Sequence, residues 1–259
     1  QPTMKPLHVH WSSSKPNFGD ALSPLICEHL AGRPVVWASV EKCDLLAVGS
    51  LMQRVKEGFW RHRISIWGTG FIDSAEPHRS RHHYHALRGK LSAAIINGLS
   101  PDLPLGDPGL LANLLVEHLP QPAKRYRCIL IPHYKDRGHP MLEYLAASMP
   151  NTEVVDVFSP PLQILEKIRA AEFVFSSAMH GLIAADSLHV PNAWLKLSDE
   201  LRGEDFKFRD YYSVFNIEPR PLVPTPDLLK HTKALIETYA RPGLNDIQQR
   251  LIKSFPYKN

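Results

Sequence analysis

Phe173-Val174-Phe175-Ser176-Ser177-Ala178-Met179-His180-Gly181 decides how this chain is read. An apolar run of strand type meets two small hydroxyl residues. A segment of helical pattern follows, with a histidine near its start. A buried strand feeding a helix is the repeating unit of an α/β protein with parallel strands. In such sheets ligands gather at the carboxyl ends of the strands. A helix N-terminus there offers N–H groups and a dipole to an anion, and it delivers His180 as an acid–base group. A capping turn with an ordinary serine has the same appearance, so the stretch is read both ways at this point.

Working outward, the same alternation recurs on both sides. Upstream, Leu7 to Trp11 reads as a strand, Asn17-Phe18-Gly19-Asp20 as a turn, and Ala21 to Leu30 as a helix with Asp20 at its N-cap. Asp44 to Gly49, Arg63 to Trp67 and Ala93 to Asn97 read as strands. Gly106-Asp107-Pro108-Gly109 is a turn before a helical run, Leu110 to His118. Leu119 to Arg125 holds two prolines and little apolar periodicity, and marks a boundary. Beyond it, Cys128 to Pro132, Val154 to Val157, Phe173 to Phe175 and Asn192 to Leu195 read as strands. Pro140 to Ser148, Pro161 to Ala170, His180 to Leu188, Leu228 to Tyr239 and Leu244 to Ser254 read as helices. The expected architecture is α/β, with two Rossmann-like domains facing a cleft. They span residues 1–120 and 121–259, the terminal helices being free to pack back on the N-terminal domain.

Composition narrows the function. The 259 residues are 44% hydrophobic and 22% charged, as in a globular protein. A net charge of +4 suits an anionic small substrate or an anionic membrane surface. It falls short of a nucleic-acid footprint. Cys27, Cys43 and Cys128 are far apart and form no zinc spacing, which is the usage of reduced thiols in a cytoplasmic protein. No run approaches the ~20 apolar residues of a membrane span, and no signal peptide is expected at the N-terminus.

Other segments carry candidate chemistry. Trp67-Gly68-Thr69-Gly70 puts two glycines after a strand, where backbone can approach a ligand. It is not a complete dinucleotide or P-loop motif. Arg88 in Leu87-Arg88-Gly89-Lys90 could grip a carboxylate or phosphate. Ile131-Pro132-His133-Tyr134 brings His133 to a strand's carboxyl end. His82, His83 and His85 crowd a segment whose Arg and Tyr neighbours favour a solvated or substrate-facing loop; no metal is expected there. Glu204 to Tyr212 mixes cations with aromatics, in the pattern either of an amphipathic helix start or of a sugar contact.

In chain order, these pieces resemble the polysaccharide pyruvyl transferase family, and in particular the ketal pyruvate transferases of exopolysaccharide synthesis such as the xanthan enzyme. The matching pieces are Phe18-Gly19-Asp20 with Leu22-Ser23, Trp67-Gly68-Thr69-Gly70, Arg88-Gly89, Gly106-Asp107-Pro108-Gly109-Leu110-Leu111, Ile131-Pro132-His133-Tyr134, Ser176-Ser177 with His180-Gly181-Leu182-Ile183, and Phe206-Lys207 with Asp210-Tyr211-Tyr212. The ending Ser254-Phe255-Pro256-Tyr257 also looks like the family's.

The resemblance implies a GT-B-like fold, phosphoenolpyruvate as donor and no further cofactor. It implies a glycan or lipid-linked oligosaccharide as acceptor, met in the cytoplasm at the inner face of the membrane. His180 is the implied catalytic acid and Arg88 the implied donor grip. Some members carry Arg where this chain has Ala178, so donor charge has to be met elsewhere, by Lys207 or His133. The expected substrate-binding set is Arg88, His133, Ser176, Ser177, Lys207, Gly68, Thr69, Gly70, Asn17, Asp107 and Tyr211, with Asp20 or Asp107 accepting the acceptor's proton. The competing readings are a GT-B-type sugar-nucleotide glycosyltransferase, an enolpyruvyl transferase stopping at an enol ether, and a non-catalytic sugar-binding relative.

Overall fold

A computed structural model describes residues 4–198 and 204–258. In chain order its elements are β1 (Leu7–His10), α1 (Phe18–Ala31), β2 (Val35–Trp37), β3 (Leu45–Leu46), β4 (Ser65–Trp67), β5 (His78–Arg79), β6 (His83–Ala86), α2 (Lys90–Ile95), β7 (Ile96–Asn97), β8 (Cys128–Ile131), α3 (Pro140–Ser148), β9 (Thr152–Val154), α4 (Pro161–Arg169), β10 (Val174–Ser176), α5 (Met179–Ser187), β11 (Asn192–Trp194), α6 (Glu204–Ser213), α7 (Thr232–Thr238) and α8 (Leu244–Ser254). A 3-10 helical run, Pro108–Leu115, lies between β7 and β8.

The fold is α/β with parallel sheets. One sheet has five strands in the order β2-β1-β3-β4-β6, and a second has four in the order β11-β10-β8-β9. Every pairing between named strands is parallel. Central strands such as Cys128–Ile131 are buried throughout, as a parallel sheet covered on both faces requires. One apolar core runs from Leu7, Val9 and Phe18 through Leu110 and Leu111 to Ile131, Val174 and Ile183. It therefore joins both sheets through α1, the 108–115 run and α5.

Two C-terminal elements return to the first sheet. On α8, the Leu251 carbonyl accepts from Trp67 Nε1 at 3.0 Å, and Tyr257 OH, just beyond the helix, bonds the Asp44 carbonyl at 3.2 Å. On α6, Asp210 accepts from Arg88 and Ser92. Segment 120–125 forms neither helix nor strand. No helix among the described residues is long and apolar enough to cross a membrane.

Several local expectations are corrected. The first helix begins at Phe18 with Asn17 at its N-cap, so Asp20 lies in the first turn. Lys90–Ile95 is helical, and only Ile96–Asn97 is strand. The strand expected at 154–157 is Thr152–Val154. His83–Ala86, read as a loop, is the edge strand of the first sheet. An edge strand faces solvent, so polar residues are tolerated there and the apolar signal fades. Just before it, His82 is structural: Nδ1 accepts from the Ile64 N–H at 3.0 Å, and Nε2 lies 3.0 Å from the Lys56 carbonyl.

Candidate active site

A cavity of about 210 Å³ lies between the loops that follow the strands of both sheets. From the first sheet come Ser12, Asn17, Gly19 and Asp20 after β1, and Gly49, Ser50, Leu51 and Arg54 after β3. From the second come His133 and Tyr134 after β8, and Ala178, Met179 and His180 after β10. Lys207 reaches it from α6. A wider recess of about 370 Å³ continues past Arg54, His133 and Lys207. All these loops leave carboxyl strand ends, where parallel α/β sheets bind ligands.

His180 stands on the first turn of α5, slightly exposed. Its Nε2 lies 3.2 Å from Oδ2 and 3.3 Å from Oδ1 of Asp107, a fully buried carboxylate. Asp107 is itself fixed by the Gly109 N–H at 2.8 Å, as the cap of the 108–115 run. A carboxylate only accepts, so Nε2 carries a proton and the ring orientation is set. The other ring nitrogen, Nδ1, packs against Gly19: a Cβ built there would lie 2.5 Å from it. Asp107 thus positions His180. Its carboxylate is fully buried and does not line the cavity.

Asp20 lines the same cavity from α1. Asn17 Nδ2 donates to its Oδ2 at 3.2 Å. Burial pushes the Asp20 carboxyl above its ordinary value, against the smaller opposing pulls of Asn17, His180, Arg54 and Lys207. The neighbouring His133 is held at about 4, first by burial and then by Lys207, Lys135 and Lys15. His133 is therefore neutral near pH 7 in the ligand-free protein, and the cations beside it are Lys207, Lys135 and Lys15. Its Nδ1 accepts from the Lys135 N–H at 3.1 Å.

Arg54, which no sequence pattern singled out, is a cation on the wall. His10 Nε2 lies 2.9 Å from one of its terminal nitrogens and Ser12 Oγ accepts from the other at 2.6 Å. Arginine only donates, so His10 uses Nε2 as acceptor and Nδ1 as donor to the Ala38 carbonyl at 2.8 Å. Burial, first among the causes, lowers the His10 pKa and keeps that ring neutral. The backbone offers a further anion contact. α5 has Ala178 at its N-cap, where no side chain caps the helix. The N–H groups of Met179 and His180 have no backbone acceptor among the described residues.

Several expected ligands instead build the wall from behind. Arg88 is fully buried: Nε donates to Asp210 at 2.9 Å, one terminal nitrogen to Ser50 Oγ at 2.6 Å and the other to the Phe71 carbonyl at 2.5 Å. It reaches the cavity only through Ser50. Thr69 Oγ1 donates to the Gly49 carbonyl at 2.6 Å and accepts from the Leu51 N–H at 3.1 Å, which fixes the 49–51 loop. Gly68 and Gly70 leave room for Pro108 and for the Arg88 guanidinium, respectively.

Ser176 Oγ lies 2.8 Å from the Ile131 carbonyl and accepts from the Ala178 N–H at 3.1 Å. Ser177 Oγ donates to Asp136 at 2.7 Å and accepts from the His133 N–H at 2.8 Å. The Ser177 N–H is bonded to Ile131. Tyr211 is buried with its hydroxyl on Asp186, beside Tyr239 and Arg241. None of these three side chains lines the cavity, because each hydroxyl is turned to a partner within the protein.

The fold and site thus define an α/β protein in which a cavity at the carboxyl ends of parallel strands is lined by Arg54, Lys207 and a histidine that a buried aspartate backs. Residues 3–199 match the family described as polysaccharide pyruvyl transferase, so the chain belongs to that family, one of transferases in polysaccharide biosynthesis. It is 27% identical over 255 residues to an uncharacterised protein of Acanthamoeba polyphaga mimivirus, covering 96% of this chain and 88% of the relative. No solved structure gives a significant match.

Proposed function

We propose that the protein moves the pyruvyl group of phosphoenolpyruvate onto two hydroxyls of a sugar, in a polysaccharide or its lipid-linked precursor, forming a cyclic ketal. The observation that carries this reading is His180, backed by the buried Asp107, on a cavity wall that also holds Asp20, Arg54 and Lys207. Activation of an enol phosphate needs a proton donor at carbon, a base for the hydroxyl and cations for the departing phosphate. Those groups converge here. In the same reading the two parallel sheets form a GT-B-like pair of Rossmann halves meeting near residue 120, and the enzyme meets its acceptor at the cytoplasmic face of a membrane.

The steps follow from the residues. Nε2 is engaged by Asp107, so Nδ1 is the nitrogen that protonates the enol methylene. Asp107 stabilises the imidazolium that holds the proton beforehand. C2 gains oxocarbenium character and is attacked by one sugar hydroxyl, whose proton goes to Asp20. A carboxyl with a raised pKa is better suited to that task than an ordinary one. Phosphate leaves C2, and the second hydroxyl closes the ketal. One hydroxyl proton replaces the one given to the methyl group, and the other leaves with phosphate. Arg54, Lys207 and the uncapped N–H groups of Met179 and His180 receive the donor's negative charge. Alanine at position 178 leaves those N–H groups available to a ligand.

The test is incubation with phosphoenolpyruvate and a panel of glycosides. The readouts are phosphate release and NMR of the product methyl group, which separates a ketal from an enol ether. Transfer of label from a nucleotide sugar, with none from phosphoenolpyruvate, overturns the reading in favour of a glycosyltransferase.

A further inference from the structure

Segment Arg54-Val55-Lys56-Glu57-Gly58-Phe59-Trp60-Arg61-His62-Arg63 joins the cavity wall to an exposed aromatic tip. The Arg61 N–H bonds the Gly58 carbonyl at 3.0 Å, so Phe59 and Trp60 are the two central residues of a tight turn. Phe59 is 78% exposed and Trp60 70%, the two most exposed aromatic side chains among the described residues. Their rings meet edge to face, with centroids 5.2 Å apart. Gly58, at φ 151°, brings its backbone beneath the Trp60 ring. The tip is thus prearranged rather than loose, and it points two large apolar groups into solvent, where they gain nothing.

Its surroundings are basic. Lys56, Arg61 and Arg63 lie on the same loop. The neighbouring strand segment binds the loop through His82 Nε2 and the Lys56 carbonyl, and brings in Arg81, whose N–H donates to Glu57 at 3.2 Å. Glu57 is the one acidic residue from 54 to 63. Aromatic rings ringed by cations complement a surface that is anionic at its face and apolar just beneath, as a lipid headgroup layer is.

We infer that the 56–63 loop is a membrane-docking tip that inserts Phe59 and Trp60 into an anionic bilayer interface, with Lys56, Arg61, Arg63 and Arg81 on the headgroups. Arg54 lines the cavity only five residues before Phe59. Five residues span at most about 18 Å. Docking therefore brings the cavity close to the bilayer surface, where a lipid-linked acceptor would present its sugar. That consequence rests on the proposed activity; the docking itself does not.

The experiment is co-sedimentation of the full chain with vesicles of phosphatidylcholine alone and of phosphatidylcholine with phosphatidylglycerol. Binding to the anionic vesicles only is expected. Phe59→Ser with Trp60→Ser should weaken it roughly tenfold or more. Arg61→Gln with Arg63→Gln should weaken it roughly thirtyfold, from about 1 kcal/mol per arginine. Phosphate release with a soluble acceptor should stay unchanged in both variants. Equal binding by the aromatic double variant, or no vesicle binding by the parent chain, overturns the proposal. So does a parent dimer in sedimentation velocity that the aromatic substitutions dissociate, since it would assign the tip to a second copy of the chain. If phosphoenolpyruvate chemistry fails while vesicle binding persists, only the activity is overturned.

Discussion

The imidazole of His180 occupies the space that a side chain at position 19 would need: a Cβ on Gly19 would lie 2.5 Å from Nδ1. Helix α1 therefore carries glycine in its first turn for the sake of a ring on α5. Gly19→Ala should add helix propensity of about 1 kcal/mol but force the ring away from Asp107 at an overpacking cost of about 1–3 kcal/mol. The expected result is a large loss of kcat with a modest change in Tm, checked by steady-state kinetics beside thermal unfolding.

His180→Ala should lower kcat by roughly 10²–10⁴-fold while the protein stays folded. Asp107→Asn should lower kcat with little effect on KM, since Asp107 contacts His180 and does not line the cavity. Near-normal turnover in the His180 variant would remove it from the mechanism.

Arg54→Ala should lower kcat/KM for phosphoenolpyruvate by roughly 10–100-fold, from a charge-assisted contact of about 1.5–3 kcal/mol. The effect should lie mainly in the KM for the donor. Unaltered donor kinetics would leave Arg54 with only its structural bonds to His10 and Ser12.

Arg88 and Asp210 form a pair with both side chains fully buried. Arg88→Ala or Asp210→Ala alone should cost about 3–5 kcal/mol, because each leaves a buried charge without its partner. The double variant should cost much less than the sum. Denaturant unfolding of the three variants measures the coupling, and strict additivity would contradict the pair.

Two titrating groups predict opposite responses to pH. His133 has a folded value of about 4 against an ordinary 6.5, so its neutral form is favoured on folding. That stability is present above pH 6.5 and is lost as pH falls towards 4. His133→Gln should recover on the order of 2 kcal/mol at the acid end, after screening at this partly exposed ring. Asp20 is raised above 3.8 by burial, so its ionisation destabilises the folded state as pH rises past that value. Asp20→Asn should therefore raise Tm at neutral pH while lowering turnover. A series of Tm against pH for both variants reads each sign directly.

Parts of this molecule are legible in sequence because their causes are local. Pro140–Ser148 and Leu244–Ser254 have a helical apolar period and clear punctuation, and both fall within the expected bounds. His180 was visible because strand, small turn and helix are adjacent in the chain. The first sheet's edge strand was not, because His83-Tyr84-His85 has no apolar alternation to show. The site's second layer was invisible for another reason. Asp107 meets His180 across 73 positions, and Arg88 meets Asp210 across 122. An arginine before a glycine looks the same whether it grips a ligand or a buried aspartate; only its partner decides.

The hydrogen bond from Trp67 to the Leu251 carbonyl has a temporal meaning as well. It spans 184 positions, and the one from Tyr257 to Asp44 spans 213. During synthesis the strands of the first sheet emerge early, yet the helix that covers them follows nearly two hundred residues after Trp67. Until residues 244–257 leave the ribosome, the indole N–H of Trp67 and the apolar surface around it have no cover. Such long-range closure slows folding and leaves a vulnerable interval. Truncation within α8 should therefore yield aggregation rather than a shorter stable domain, read by the soluble fraction after expression.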